Sequence, residues 1–299
     1  MPGKVAVIGL GLIGGSLCRA MRASGFADTV VGYDRDAGIG ELAVDLEVVD
    51  RFESTLEQAL SGAELVVIAT PTLAAAEVLA DVLVKLPAEA VLTDVASVKG
   101  NLVAAYQHTR ETILADDTLS IPGVAPFVPG HPIAGSERSG VDASRPELFK
   151  AHRVILTPLE DGDADALALV RRLWESAGAE VVEMPVEQHD AILAATSHLP
   201  HILAFALVDA LSRSDLSDDI FRFAAGGFRD FTRIASSNPV MWRDIALANR
   251  EPLVQAIDEF GEHLKALRDA VADGDGAALE NTFADARSAR EHFIKQQAP

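Results

Sequence analysis

Short continuous apolar runs, spaced by helix-length segments of mixed polarity, set the rhythm of the first part of the chain. Val5-Ala6-Val7-Ile8 opens the series and leads into Gly9-Leu10-Gly11-Leu12-Ile13-Gly14-Gly15-Ser16, after which a helical pattern continues to Ala23. Val30-Val31-Gly32-Tyr33 is the next run and ends at Asp34. Residues 65–70 are apolar up to Pro71 and precede a helical stretch over 73–86; residues 90–95 form another run, closing in Ala96-Ser97-Val98-Lys99-Gly100 before a helix from Leu102. Strands at 153–157 and 180–183 flank a helix at 164–177, which Gly178 is suited to stop. Runs without polar alternation mark strands buried on both faces, and their regular exchange with helices predicts a parallel sheet.

Beyond Pro185 the β-branched runs cease and the period becomes helical. Residues 189–211 are apolar nearly all round, with Pro200 as a kink, and residues 221–236, 240–249, 253–273 and 277–295 read as further helices, the last two separated by Gly274-Asp275-Gly276. A helix apolar on every side must be covered by other helices or by another subunit. The expected organisation is therefore a dinucleotide-binding α/β domain over 1–185 and an all-helical substrate and dimerisation domain over 186–299. One segment fits neither period. Pro129-Gly130-His131-Pro132-Ile133-Ala134-Gly135-Ser136-Glu137 reads as a tight loop that fixes a histidine in place, approached through a loop-like stretch over 116–127.

Composition narrows the class. With 25 basic and 45 acidic residues the 299-residue chain carries a formal charge of -20, which argues against general affinity for nucleic acid or anionic membranes. The longest apolar runs are read as too short to cross a bilayer, and no basic-then-apolar leader opens the chain. Cys18 is the only cysteine and sits in an apolar helical stretch, so a structural thiol in a reducing, cytoplasmic setting is expected.

The glycine-rich turn carries the first chemistry. Gly9 permits the tight turn, Gly11 lets a pyrophosphate approach the backbone, Leu12 and Ile13 open the helix whose N–H groups receive it, and Gly14 lets helix and strand pack closely. Asp34, at the end of the next strand, is placed to accept hydrogen bonds from the adenosine ribose, which favours NAD; Arg35 beside it could pair with a 2'-phosphate and keeps NADP open. Ligands of parallel sheets lie beyond the carboxyl ends of the strands, where Thr70, Pro71, Asp94, Ser97 and Lys99 fall; Ser97 also reads as a helix cap. His131 is of the type that exchanges protons near neutrality. In the helical part, His198 and His201 stand three apart, but His189 is too far along and no carboxylate completes a ligand set, so no metal is expected. Arg229 and Arg233 lie one helical turn apart, away from an apolar stripe of Phe228, Phe231 and Ala235, and one of them suits a carboxylate clamp; the plain alternative is a solvated pair beside Asp230 and Asp244.

Taken together, the turn at 9–16, Thr93-Asp94-Val95-Ala96-Ser97-Val98-Lys99-Gly100, Gly130-His131-Pro132-Ile133-Ala134-Gly135-Ser136-Glu137, Ser197-His198-Leu199-Pro200-His201 and Phe228-Arg229-Asp230-Phe231-Thr232-Arg233-Ile234-Ala235 resemble the prephenate/arogenate dehydrogenase family of tyrosine biosynthesis. The resemblance implies a Rossmann domain followed by a helical dimerisation domain, a homodimer, and oxidative decarboxylation of a cyclohexadienol with hydride transfer to NAD(P)+. It places the catalytic histidine on His131 with Ser97 as its partner, the carboxylate-binding arginine on Arg233 with Arg229 nearby, and His201 in the substrate pocket. Glu137 is a candidate for reading the side chain that distinguishes arogenate from prephenate. Two rivals remain at this stage: a β-hydroxyacid dehydrogenase, which would need a catalytic lysine from Lys265 or Lys295, and a non-catalytic NAD-binding sensor, which would need neither His131 nor Arg233.

Overall fold

The computed structural model of the chain describes residues 1–116, 123–136 and 138–297. Strands β1 (Lys4–Ile8), β2 (Thr29–Tyr33), β3 (Arg51–Phe52), β4 (Leu65–Ile68), β5 (Val91–Asp94) and β6 (Phe127–Val128) form one sheet in the order β3-β2-β1-β4-β5-β6, every pairing parallel. Helices α1 (Leu12–Ser24), α2 (Ala37–Asp45), α3 (Leu56–Leu60), α4 (Thr72–Lys85) and α5 (Gly100–Ala115) connect them. The continuous apolar runs are explained by the two cores they serve. Val5 and Val7 of β1 and Leu65 and Val67 of β4 pack on the side of Leu17, Met21 and Trp174, while Ala6, Ile8, Val66 and Ile68 pack on the side of Leu79, Leu83 and Leu102. The strand order reverses direction between β1 and β4, which opens a crevice at their carboxyl ends.

The strands expected at 153–157 and 180–183 exist, but they belong to a separate sheet. β8 (Arg153–Leu156) pairs antiparallel with β7 (Gly130–Pro132) and parallel with β9 (Glu180–Glu183), with α6 (Ala164–Ser176) between the last two. The His131 segment is thus corrected from loop to strand: His131 stands opposite Ile155 in the ladder. Three residues bounded by two prolines are too few to display a period of two, so pairing with β8 supplies the order that the pattern lacked.

Helices α7 (Val186–Leu193), α8 (Leu199–Ser212), α9 (Ser217–Arg222), α10 (Gly226–Thr232) and α11 (Pro239–Ala248) follow, then α12 (Arg250–Asp273) and α13 (Gly276–Gln297). The expected kink at Pro200 is realised one turn earlier, as a π turn over Ala194–His198 in which the Leu199 N–H reaches back to the Ala194 carbonyl. Pro200 has no N–H and takes the first turn of α8, where none is needed. The single helix expected over 221–236 is broken at Phe223-Ala224-Ala225, between α9 and α10, and ends in a 3₁₀ turn over Arg233–Ser236.

The chain divides into two compact units, residues 1–250 and 251–299. Within the first, α7 packs beside α5 and α11 beside α4, and Val98 after β5 forms a small buried cluster with Trp242 and Ile245 of α11. The second unit is the helix pair α12 and α13, whose connection passes through Gly274 at φ +67. The run Val186–Ser212 is, by length and composition, apolar enough to cross a bilayer, contrary to the sequence expectation. Its polar members His189, Asp190 and His198 are all buried, however, while only Ala204 of α8 is buried in turn. The run is docked through these buried polar side chains, and most of α8 is only partly covered by the described residues.

Candidate active site

The glycine turn joins β1 to α1. Gly9 has φ +100, and a Cβ there would stand 2.7 Å from the Ala69 carbonyl oxygen; one on Gly14 would stand 2.1 Å from the Gly9 carbonyl oxygen. At Gly11, by contrast, nothing lies within 4 Å of a Cβ position. This leaves the N-terminus of α1 bare: Gly11 provides no side-chain cap and the first turn, with Leu12 and Ile13, contains no acid. Unsatisfied N–H groups and the positive end of a 13-residue helix make a seat for a pyrophosphate. Thr70, just past β4, has a buried hydroxyl with no hydrogen-bond partner among the described residues, one that a bound dinucleotide can satisfy. Pro71 is the N-cap of α4 beside it. Asp34 follows β2, and its carboxylate accepts from Leu10 N at 2.9 Å and Asp36 N at 3.0 Å, so it is oriented by the glycine turn while each oxygen keeps a second lone pair for a ribose hydroxyl. Arg35 is exposed. These residues fit a dinucleotide.

Beyond β5 the sequence reading placed Asp94 and Lys99 near the reacting ring, and the structure assigns them a different task. Both are fully buried and form an ion pair. Lys99 Nζ also donates to the Gly130 carbonyl at 2.6 Å, and Asp94 accepts from Gly130 N at 3.1 Å and Ala96 N at 2.8 Å. The pair therefore grips both backbone groups of Gly130 and sets the start of β7. Burial pushes the Asp94 carboxyl up and the Lys99 amine down, and their mutual attraction opposes both movements.

His131, 9 % exposed, is the next residue. Its Nδ1 lies 2.9 Å from Nε2 of His189, and His189 Nδ1 lies 2.7 Å from Asp190 Oδ1. Asp190 also accepts from Lys99 N at 3.0 Å and Gly100 N at 2.8 Å, and so caps α5 from a neighbouring helix. Burial raises the Asp190 carboxyl, but the bonds from His189 and the two amides outweigh it and hold the group below its ordinary range. Burial, with His189, Lys99 and His198 close by, holds the His131 imidazole well below its ordinary value. It is neutral at pH 7 and able to accept a proton. Ser97, half-buried on the same loop as Lys99, makes no hydrogen bond to His131 among the described residues, and the cap of α5 expected of it is supplied by Asp190.

The two histidines of the helical motif separate in role. His198 is buried, its Nδ1 3.0 Å from Asn249 Nδ2, which also donates to the Asp190 carbonyl at 2.8 Å. Burial pushes its pKa down to about 4. His201 is half-buried, donates from Nδ1 to the Ser197 carbonyl at 2.9 Å, and stacks on Trp242 with ring centroids 3.5 Å apart. Its pKa is lowered by burial and by the nearby charge of Arg233, which places Arg233 in the electrostatic reach of His201. Arg233 begins the 3₁₀ turn and Arg229 lies on α10, both exposed; the proposed partner Asp244 bonds Arg243 instead. Of the apolar stripe, Phe228 and Ala235 are half-buried, with Phe228 against Phe221, while Phe231 is 51 % exposed. Glu137 lies outside the described residues. Lys265, the rival catalytic lysine, pairs with Asp269 at 3.0 Å one turn along an exposed helix.

Sequence reasoning weighed His189 only as a metal ligand and passed over Asp190. The available signal was an adjacent histidine and aspartate at the start of an otherwise apolar run, where a buried charge requires a partner.

Two family models match the chain: prephenate dehydrogenase, nucleotide-binding domain, over residues 17–183, and prephenate dehydrogenase, dimerization domain, over residues 185–285. Cyclohexadienyl dehydrogenase of Zymomonas mobilis is 36% identical over 288 residues, 96% of this chain and 94% of that protein. Prephenate dehydrogenase of Bacillus subtilis is 37% identical over 301 residues, 99% of this chain and 78% of that protein. Among solved structures, prephenate dehydrogenase from Aquifex aeolicus in complex with hydroxyphenyl propionate and NAD+ superposes with a TM-score of 0.86 at 36% identity, covering 97% of this chain and 98% of that one. The rival readings as a β-hydroxyacid dehydrogenase or a non-catalytic sensor fall away, and the chain belongs to the prephenate dehydrogenase family of NAD-dependent oxidoreductases.

Proposed function

We propose that this protein oxidises and decarboxylates prephenate, to 4-hydroxyphenylpyruvate, or arogenate, to tyrosine, with His131 as the proton acceptor. The observation that carries the reading is the neutral imidazole of His131, buried and hydrogen-bonded, on the strand that follows the dinucleotide-binding sheet. A neutral ring accepting the proton of the C4 hydroxyl favours hydride departure from that carbon. Loss of CO2 from the ring carboxylate then aromatises the ring. Gly9, Gly11, Gly14, Asp34 and Thr70 would hold NAD+, with Leu12, Ile13 and Pro71 at the neighbouring helix starts, and the cofactor would supply the hydride acceptor. Arg233 binds the substrate carboxylate through a planar two-donor contact, Arg229 adds positive charge, and His201, stacked on Trp242, lines the same region. Ser97 acts from the loop after β5. Positioning of this kind supplies several kcal/mol of barrier reduction.

The functional division is placed at 185/186, with the dinucleotide domain over 1–185 and the substrate and dimerisation domain over 186–299; the family matches over 17–183 and 185–285 support it. A homodimer through the helical domain is supported by the apolar groups it exposes, among them Phe223, Phe231 and Met241. A cytoplasmic setting is supported by the single, buried Cys18, whose thiol burial pushes far up. The test is direct: the protein is mixed with NAD+ or NADP+ and with prephenate or arogenate, and reduced nicotinamide is followed by absorbance. Turnover of either substrate is expected, faster with NAD+ because Asp34 repels a 2'-phosphate. No reduction in any of the four mixtures rejects the reading.

A further inference from the structure

We propose that His189 and Asp190 are positioning residues for the catalytic step: the pair locks His131 in the tautomer with hydrogen on Nδ1 and a bare Nε2 ready to take the substrate's proton. The proposal rests on His131 being the base.

The argument is one of donors and acceptors. Asp190 takes three hydrogen bonds, from Lys99 N, Gly100 N and His189 Nδ1, and as an ionised acid it has no proton to return. His189 Nδ1 must therefore carry the hydrogen of the 2.7 Å bond. In a neutral ring this leaves Nε2 of His189 as a lone pair, 2.9 Å from Nδ1 of His131. A contact of that length between two ring nitrogens requires one hydrogen, and only His131 can supply it. The remaining nitrogen of His131, Nε2, is then unprotonated. A reversed chain would need a hydrogen on both nitrogens of His189, hence a second positive charge in a fully buried ring beside Lys99. The groups facing His131 are His189 and Asp190 from α7, Lys99 with its partner Asp94 from the end of β5, and His198 from the π turn. Because Asp190 is also the cap of α5, one carboxylate ties the orientation of the base to the loop that holds Ser97 and Lys99.

The first test needs no substrate. In protein labelled with 15N-histidine, imidazole 15N–1H correlation spectra at neutral pH should show His131 protonated at Nδ1 only, its signals identified by their loss in His131→Asn; protonation at Nε2 instead overturns the proposal. Asp190→Ala, which removes the acceptor that fixes the hydrogen of His189 on Nδ1, should free His189 to donate from Nε2, let His131 carry its hydrogen on Nε2, and lower kcat about 10²- to 10⁴-fold with KM within threefold. His189→Gln keeps an acceptor for His131 Nδ1 and should retain at least about tenfold more kcat than His189→Leu, which removes it. Variants that lose melting temperature while keeping kcat within threefold show a merely structural role and overturn the proposal. If Asp190→Ala does not fold, the wild-type spectrum and the two His189 variants decide. Failure of the wild-type enzyme to reduce NAD+ with either substrate rejects the assignment of the reaction, whereas the tautomer stands or falls on the spectrum alone.

Discussion

Lys99→Met is the most informative single change in the molecule, because it leaves shape nearly intact and removes one charge from a fully buried pair. In the native protein Asp94 is balanced by the Lys99 ammonium and by two backbone donors, Ala96 N and Gly130 N, and the Gly130 carbonyl is satisfied by Nζ. The substitution leaves the carboxylate with the two amides alone and removes the donor to Gly130. Breaking a buried pair from one side costs about 3–5 kcal/mol, since the surviving charge remains away from water. At roughly 2–4 °C per kcal/mol for a unit of this size, the melting temperature should fall by about 6–20 °C. Asp94→Asn should do comparable damage by stranding the ammonium. The double variant Asp94→Asn/Lys99→Met buries no charge and loses mainly the bond to Gly130, a loss of about 1–3 kcal/mol. Urea unfolding followed by the fluorescence of Trp174 and Trp242, both buried, measures all three against wild type. The coupling should favour the pair by at least about 2 kcal/mol. A Lys99→Met protein within about 1 kcal/mol of wild type, or single effects that simply add to the double, would refute the clamp.

His131→Asn should lower kcat about 10²- to 10⁴-fold while leaving the NAD+ dissociation constant, read by nicotinamide fluorescence, within threefold; near-normal turnover removes His131 from the chemistry. Arg233→Gln removes a charged partner of the substrate carboxylate, an interaction of about 1.5–3 kcal/mol, so KM should rise roughly 10- to 150-fold with a smaller change in kcat. An unchanged KM would move the clamp to Arg229 or Arg243. Acid stability follows from His198, whose folded pKa of about 4 lies below its ordinary 6.5. The fold favours the neutral ring, so this contribution is complete above pH 6.5 and is lost as pH falls toward 4, to a total of about 3 kcal/mol. In His198→Gln, which can still accept from Asn249, the urea midpoint should therefore decline less between pH 6.5 and 4.5; a decline equal to that of wild type counts against it.

The α/β fold is readable because its strands are continuous apolar runs, and only a sheet covered on both faces accepts such runs. The glycine turn is equally open to reading, since Gly9 and Gly14 occupy places where a Cβ would collide with backbone. What the pattern conceals are the strands of two or three residues, β3, β6 and β7, too short to show a period. The helical part misleads differently. Residues 221–236 carry a helical stripe, yet Phe231 is exposed and the helix breaks over residues 223–225, because a stripe reports an apolar face and says nothing about what covers it. At the site, single residues with evident chemistry, His131 and Arg233, stand out in the sequence. The groups that hold them do not, because Lys99 meets Gly130 across 31 residues and His189 meets His131 across 58 residues.

Those long-range bonds explain why the first compact unit extends to residue 250, well past the last strand. From Gly130 the polar chain runs through Lys99 and Asp94 on one side and through His131, His189 and Asp190 on the other, then from the Asp190 carbonyl to Asn249 and His198. Every link is buried, so an opening of α7 or α11 from the sheet would strand several polar groups at once, each at about 1–3 kcal/mol. Apolar packing between these elements is slight by comparison, with Val98, Trp242 and Ile245 as its buried core. The polar chain is thus what makes docking of the helices specific, and it runs through His131, the proposed base. A helix shifted by one residue would leave His131 without its acceptor, so correct assembly and the proposed tautomer depend on the same bonds.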